Sequence, residues 1–221
     1  AFFEDGLTGA PLKKASICVE EPEIEGDTCF ETNFNGILNW TWEDPRKSNF
    51  LLRFTLEDYM PTVFTGRYAE DIAAVWAEEI AAYGYIELIY TTFQRADVEN
   101  VMSTGNLTMD ATKGHVLLNL VTPSGFPVSN VKVQLKDSSG NAVGKVNYFN
   151  SSMSSLDASL KSTSASGATV ITNIEPGEHT IELIDDAREC TPWFSWNSDE
   201  ANTVQVPVQA DTLTRTGLVC Q

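Results

Sequence analysis

Thr163-Ser164-Ala165-Ser166-Gly167-Ala168-Thr169-Val170-Ile171-Thr172-Asn173-Ile174-Glu175-Pro176-Gly177-Glu178-His179-Thr180-Ile181 reads as a polar lead-in, a strand, a tight turn and the start of a second strand. Ala168 to Thr172 is rich in β-branched residues, which suit a pleated, half-buried surface. Glu175-Pro176-Gly177-Glu178 ends that run, because Pro presets a turn dihedral and Gly takes backbone conformations closed to other residues. Thr180-Ile181-Glu182-Leu183-Ile184 then restores the period of two. The same period extends outward on both sides. His115 to Val121 reads as a strand, Pro123-Ser124-Gly125 as a turn, and Val131, Val133 and Leu135 alternate with Lys132, Gln134 and Lys136. Asn150 to Ser166 is a Ser-rich loop, and Thr203 to Val208 and Leu213 to Val219 close the chain as strands.

The N-terminal third is also strand-like. Gly9-Ala10-Pro11-Leu12 is a turn, Asn35-Gly36 is a hairpin signal, and Ile37 to Trp42 is rich in β-branched and aromatic residues. In Phe50 to Leu56, Phe50, Leu52, Phe54 and Leu56 alternate with Leu51, Arg53 and Thr55. Between the two β regions the period changes. Ile72, Val75, Trp76, Ile80 and Tyr83 recur at helical spacing, and a weaker helical stretch runs from Tyr85 to Met102 through Ile86, Ile89, Tyr90, Phe93 and Val101. The expected division is a first sandwich over 1–66, a helical connector over 67–113 and a second sandwich over 114–221. The middle block is either a connector packed on the first sandwich or an insertion before that sandwich's last strand.

The two β regions echo each other. Gly9-Ala10-Pro11-Leu12-Lys13-Lys14-Ala15 matches Gly125-Phe126-Pro127-Val128-Ser129-Asn130-Val131, and Thr32-Asn33-Phe34-Asn35-Gly36 matches Thr163-Ser164-Ala165-Ser166-Gly167. These residues resemble the carboxypeptidase regulatory-like domain, a transthyretin-like sandwich of immunoglobulin-like appearance. Its pattern is Gly-x-Pro-Leu-x-Gly/Ala-Ala/Val-x-Val, then Thr-x-x-x-Gly-x-Phe, then Leu-Pro-Pro-Gly-x-Tyr-x-Leu. The second copy follows it through Glu175-Pro176-Gly177. In the first, Tyr59-Met60-Pro61 resembles the family's Gly-Tyr-x-Pro, and the Pro-Gly turn is lacking. The resemblance implies a mainly β fold of two transthyretin-like sandwiches in an exported bacterial protein; it implies no activity.

The four cysteines bear on compartment. Ser16 to Val19 and Thr28 to Thr32 read as strands about an acidic turn, which sets Cys18 nearly opposite Cys29. Cys190 and Cys220 would close the C-terminal part in the same way. Of the three possible connectivities, 18–29 with 190–220 keeps each pair inside one module. Zinc is the competing reading, but no Cys-x-x-Cys occurs and neither His lies at ligand spacing from a cysteine. Disulfides imply an oxidising compartment, periplasmic, outer-membrane-anchored or extracellular, with any signal peptide removed and a lipid anchor as an option.

A formal charge of −17 argues against nucleic acid or anionic lipid as partner, and no apolar run reaches the ~20 residues of a membrane helix. No catalytic residue is expected. His115 and His179 lie in strands and no Gly-x-Ser-x-Gly accompanies them. The sequence also departs from the enzymes that share such sandwiches. It lacks the Tyr-Arg-Gly-Ser end of the hydroxyisourate hydrolases and the His-x-His of the intradiol dioxygenases. No metal site is expected. Calcium is the cofactor candidate, through Glu20, Glu21, Glu23, Glu25 and Asp27 or through Asp185, Asp186, Glu189, Asp199 and Glu200, though no Asp-x-Asp-x-Asp-Gly loop occurs. Trp193, Phe194 and Trp196 form an aromatic loop that either stacks sugars or plugs the sandwich end. The expected role is a non-catalytic structural or interaction module of the cell envelope, with an envelope protein or polysaccharide as partner. The alternative is carbohydrate binding by that loop.

Overall fold

The computed structural model describes residues 1–21, 28–39, 49–67, 89–184, 188–194 and 200–221. Over them the chain is mainly β. The N-terminal part contributes β1 (Phe2–Asp5), β2 (Ser16–Glu21), β3 (Cys29–Glu31), β4 (Asn49–Thr55), β5 (Thr62–Arg67) and β6 (Ile89–Thr92). A helix, α1 (Arg95–Thr104), follows. The C-terminal part contributes β7 (Gly114–Val121), β8 (Lys132–Lys136), β9 (Lys145–Tyr148), β10 (Ala168–Ile174), β11 (Gly177–Ile184), β12 (Cys190–Phe194), β13 (Thr203–Val208) and β14 (Leu213–Cys220).

The sequence echo is an echo of hydrogen bonds. Thr32 Oγ1 donates to the Leu12 carbonyl at 2.6 Å and accepts the Ala15 N–H at 3.0 Å. Thr163 Oγ1 donates to the Val128 carbonyl at 2.9 Å and accepts the Val131 N–H at 3.1 Å. Both hydroxyls are buried, so each clamp satisfies groups that water cannot reach. Phe3 N–H donates to Gly36 and Leu12 N–H to Phe3; Leu120 N–H donates to Gly167 and Val128 N–H to Leu120. Lys14 and Asn130 both carry positive φ, 55° and 65°, one residue before the clamped amide. The strands follow suit. β1 runs parallel to β6 as β7 runs parallel to β14, and β2-β4-β5 is paired in the order of β8-β11-β13.

This correspondence corrects the helical reading of Tyr85 to Met102 at Ile89–Thr92, while Arg95 to Met102 is helical as expected. Ile89–Thr92 is a strand, with Tyr90 and Thr92 buried and Ile89 exposed. Ile86, Ile89, Tyr90 and Phe93 carry helical spacing, but the open edge of β1 supplies backbone partners that a helix would forgo. Only Arg95–Thr104 of the described part of 67–113 is helical. Tyr68 to Tyr83, with Trp76, lies outside the described residues.

Around the C-terminal copy, β13-β11-β8 packs on β14-β7-β10-β9. Leu118, Leu120 and Ile171 from one sheet meet Val133, Ile181 and Val206 from the other. In the N-terminal copy an aromatic cluster does the same work. Phe3 stacks on Tyr90 with centroids 5.1 Å apart and on Phe54 at 6.1 Å, and Phe64 meets Tyr90 edge-on at 4.9 Å. The two copies share one sheet, because β14 also pairs in parallel with β5, setting Leu213 beside Thr62 and Arg215 beside Phe64. A third core seals this seam from Met60, Val98, Met102, Leu117, Phe149 and Leu213. α1 is tied to the approach to β14 by Arg95, which grips Asp211 with two bonds of 2.9 and 2.8 Å.

The glycines test the duplicated clamp. Gly36 and Gly167 have φ of 72° and 64°, and a Cβ there would meet the Phe3 oxygen at 2.6 Å or the Leu120 oxygen at 2.5 Å. Gly125 has φ 79° with nothing within 4 Å. Gly125→Ala should therefore cost only the left-handed strain of about 1–2 kcal/mol. Gly36→Ala and Gly167→Ala should add an overpacking cost of about 1–3 kcal/mol each. Urea unfolding of the three variants reads the ordering, and equal costs would contradict the clamp.

Candidate functional site

Both cysteine pairs are bonded as the strands place them. Cys18 stands directly opposite Cys29 in the β2–β3 ladder, and Cys190 opposite Cys220 in β12–β14. Their surroundings differ. Cys29 is exposed, whereas Cys190 and Cys220 belong to the C-terminal core.

The aromatic segment is not wholly a loop. Cys190–Phe194 is strand β12, held antiparallel to β14 with a register shift between Pro192 and Phe194. A Pro cannot donate to a ladder, which accounts for the irregularity beside it. The backbone of Trp193 and Phe194 is thus on a strand. Their side chains, and all of Trp196, lie outside the described residues.

Of the acidic residues, Glu20 accepts a hydrogen bond from Gln209 and lies 3.6 Å from Arg53. Glu23, Glu25, Asp27, Asp185, Asp186 and Asp199 lie outside the described residues. Among the described residues, no group of three or more His, Cys, Asp or Glu could hold a metal ion.

Both histidines are buried strand residues. His115, on β7, accepts the Asn173 N–H at its Nδ1 at 3.4 Å, and its Nε2 has no hydrogen-bond partner. Burial lowers its pKa to about 4. His179, on β11, shares a 2.8 Å hydrogen bond between Nε2 and the Glu175 carbonyl. The His179 Nδ1, like the His115 Nε2, is buried without a hydrogen-bond partner.

One concavity was missed by sequence reasoning. It is a cavity of about 880 Å³ at the β5–β14 seam, bordered by β6, α1 and β7 and open to solvent on one side. Leu213, Arg215, Thr216 and Gly217 line it from β14. Arg215 Nη1 donates to the carbonyl and the hydroxyl of Thr91, and the guanidinium lies 6.0 Å from the Phe64 ring and 5.7 Å from Phe93. Its Nε is buried without a partner. Desolvation lowers its pKa to about 10, so it is a cation at neutral pH. The one signal in sequence is a single Arg within the otherwise uncharged run Leu213 to Val219.

No family model and no curated protein matches the chain. Among solved structures it is similar to the Bacillus anthracis TIE protein, at 10% identity and a TM-score of 0.33, over 100% of this chain and 33% of that one. A Streptococcal ancillary pilin gives 14% identity and 0.33, over 88% and 50%. GBS52, the minor pilin of Streptococcus agalactiae, gives 13% and 0.32, over 96% and 85%. The chain spans a third of the first protein and half of the second. At such scores these likenesses carry no weight for fold or role.

His115 makes stability depend on pH. Unfolded, the ring takes up its proton near the ordinary 6.5; folded, only near 4. The unfolded state therefore binds more protons between those values, and stability falls as pH drops through that window and levels off below it. The loss should approach about 3 kcal/mol. Urea unfolding from pH 7 to 4 should show this slope, reduced in His115→Gln.

Proposed function

We propose that the chain is an exported, non-catalytic structural or interaction module of the bacterial cell envelope, made of two transthyretin-like sandwiches in tandem. The observation that carries the reading is that all four cysteines are bonded in two pairs, each local to one copy. Such bonds persist where the surroundings are oxidising. The duplicated threonine clamps support the resemblance to the carboxypeptidase regulatory-like domain, whose pattern places Thr and Gly at those positions. The buried, strand-held histidines support a non-catalytic role. In this reading the first sandwich comprises 1–66 with the strand at 89–92, α1 links the copies, and 114–221 forms the second.

The partner in this proposal is another envelope protein that meets the modules' outer surface. Polysaccharide stacking on Trp193, Phe194 and Trp196 is the competing proposal, favoured by the aromatic segment's start on a strand beside a disulfide. A glycan array separates the two, since wild-type protein without signal removes the sugar reading. A signal lost in Trp193→Ala and Trp196→Ala would replace the scaffold reading.

The compartment is tested through the thiols. Non-reducing peptide mapping of protein from its own host should link Cys18 to Cys29 and Cys190 to Cys220. Four free thiols would overturn the reading. In native protein a mild reductant should open the Cys18–Cys29 bond, with Cys29 exposed and Cys18 half-buried, well before the core Cys190–Cys220 bond. By loop length the two bonds contribute about 3 and 4 kcal/mol, so the second loss should depress stability more.

A further inference from the structure

We propose that the cavity at the β5–β14 seam binds a monocarboxylate with an apolar body, its carboxylate on the Arg215 guanidinium and its hydrocarbon or aryl part against the apolar walls. This goes beyond the scaffold reading and does not depend on it.

Size and lining come first. A cavity of about 880 Å³ falls in the ~300–1,000 Å³ range of small-molecule sites. Its walls include Phe93, Val98, Met102, Leu117, Phe149 and Val170. Three of the chain's exposed large hydrophobic side chains, Leu7, Ile89 and Met153, also belong to the lining, so the apolar surface continues from the interior to solvent.

Charge decides the ligand's class. A guanidinium withdrawn from water is costly unless its donors and its charge are met. Here Nη1 is taken by Thr91, while Nε is buried with no partner, and among the described residues no ion pair includes Arg215. The Phe64 and Phe93 rings offer only the weaker attraction of aromatic faces. A carboxylate satisfies both wants, because its two oxygens match the planar fork of a guanidinium. Asp97 also lines the cavity and opposes further negative charge, as does the net charge of −17. A single negative charge on an apolar body fits; a polyphosphate does not.

Calorimetric titration of the full chain with n-decanoate and n-decanol tests this. Decanoate should bind saturably, at one per chain. It should bind at least about tenfold more tightly than the alcohol, the worth of a charged hydrogen bond. Its affinity should fall as pH drops through its own pKa, while that of decanol stays level. Arg215→Gln should bring decanoate down to the level of decanol, and Val98→Trp should weaken both. No saturable binding, or equal binding of acid and alcohol at neutral pH, would overturn the proposal. Should Arg215→Gln fail to fold, the pH comparison on wild-type protein decides alone. The chain's own residues 68–88 are the other possible occupant. Methyl contacts from Ile72 or Ile80 to Leu117 and Met102 in ligand-free protein would establish that occupant and sink the proposal.

Discussion

β14 is the strand on which the rest of the structure depends. Along one edge it pairs in parallel with β7 over seven residues, completing the C-terminal copy. It also pairs with β5 at Leu213 to Arg215 and with β12 from Gly217 to Cys220. One strand therefore joins two repeats into a continuous sheet, carries a disulfide and contributes to two hydrophobic cores. It also bonds across a long stretch of chain, as the Thr65 hydroxyl donating to the Arg215 carbonyl, 150 positions away, illustrates. Such contacts cost much chain entropy to close, so the buried area of the seam core must offset that cost.

Each repeat solves the same local problem with the same residues. The segment before the first long strand turns through a left-handed residue, Lys14 or Asn130, and exposes carbonyls and amides that no ladder reaches. One buried threonine hydroxyl meets a donor and an acceptor together. A glycine four residues later allows the backbone to approach the first strand closely enough for Phe3 or Leu120 to reach it. The Thr-x-x-x-Gly spacing is thus a hydrogen-bonding requirement, and it survives a change in nearly every side chain around it. The cores diverge freely, aromatic in the N-terminal copy and aliphatic in the C-terminal copy, because burial asks only for apolar volume.

At the seam the copies are no longer equivalent. β5 and β13 hold the same place in their sheets, yet among the described residues only β5 gains a parallel neighbour from the other repeat. That asymmetry leaves α1, β6 and the Phe149 loop to border the space beside β14. It also carries Arg215 into an apolar environment, where Thr91 and two phenylalanine rings receive it. Nothing equivalent exists in β6, whose four residues are Ile89, Tyr90, Thr91 and Thr92.

What the sequence determined by itself is whatever local periodicity and short-range spacing encode. The apolar run in 115–121, the alternation in 180–184, the Pro176-Gly177 turn and the Thr-to-Gly repeats specified a mainly β chain with two related halves. The Cys18–Cys29 pairing was legible because a hairpin's register follows from its turn. Ile89 to Thr92 was misread, since four residues hold too few periods to tell a strand from a helix when their apolar neighbours keep helical spacing. The parallel seam was invisible, because a strand's sequence records which face is buried and not which strand lies beside it. Arg215 could be seen as an unusual charge in an apolar run, but only the tertiary structure put Phe64, Thr91 and Phe93 around it. A cavity is the space left between elements distant in sequence, and no single element's sequence records it.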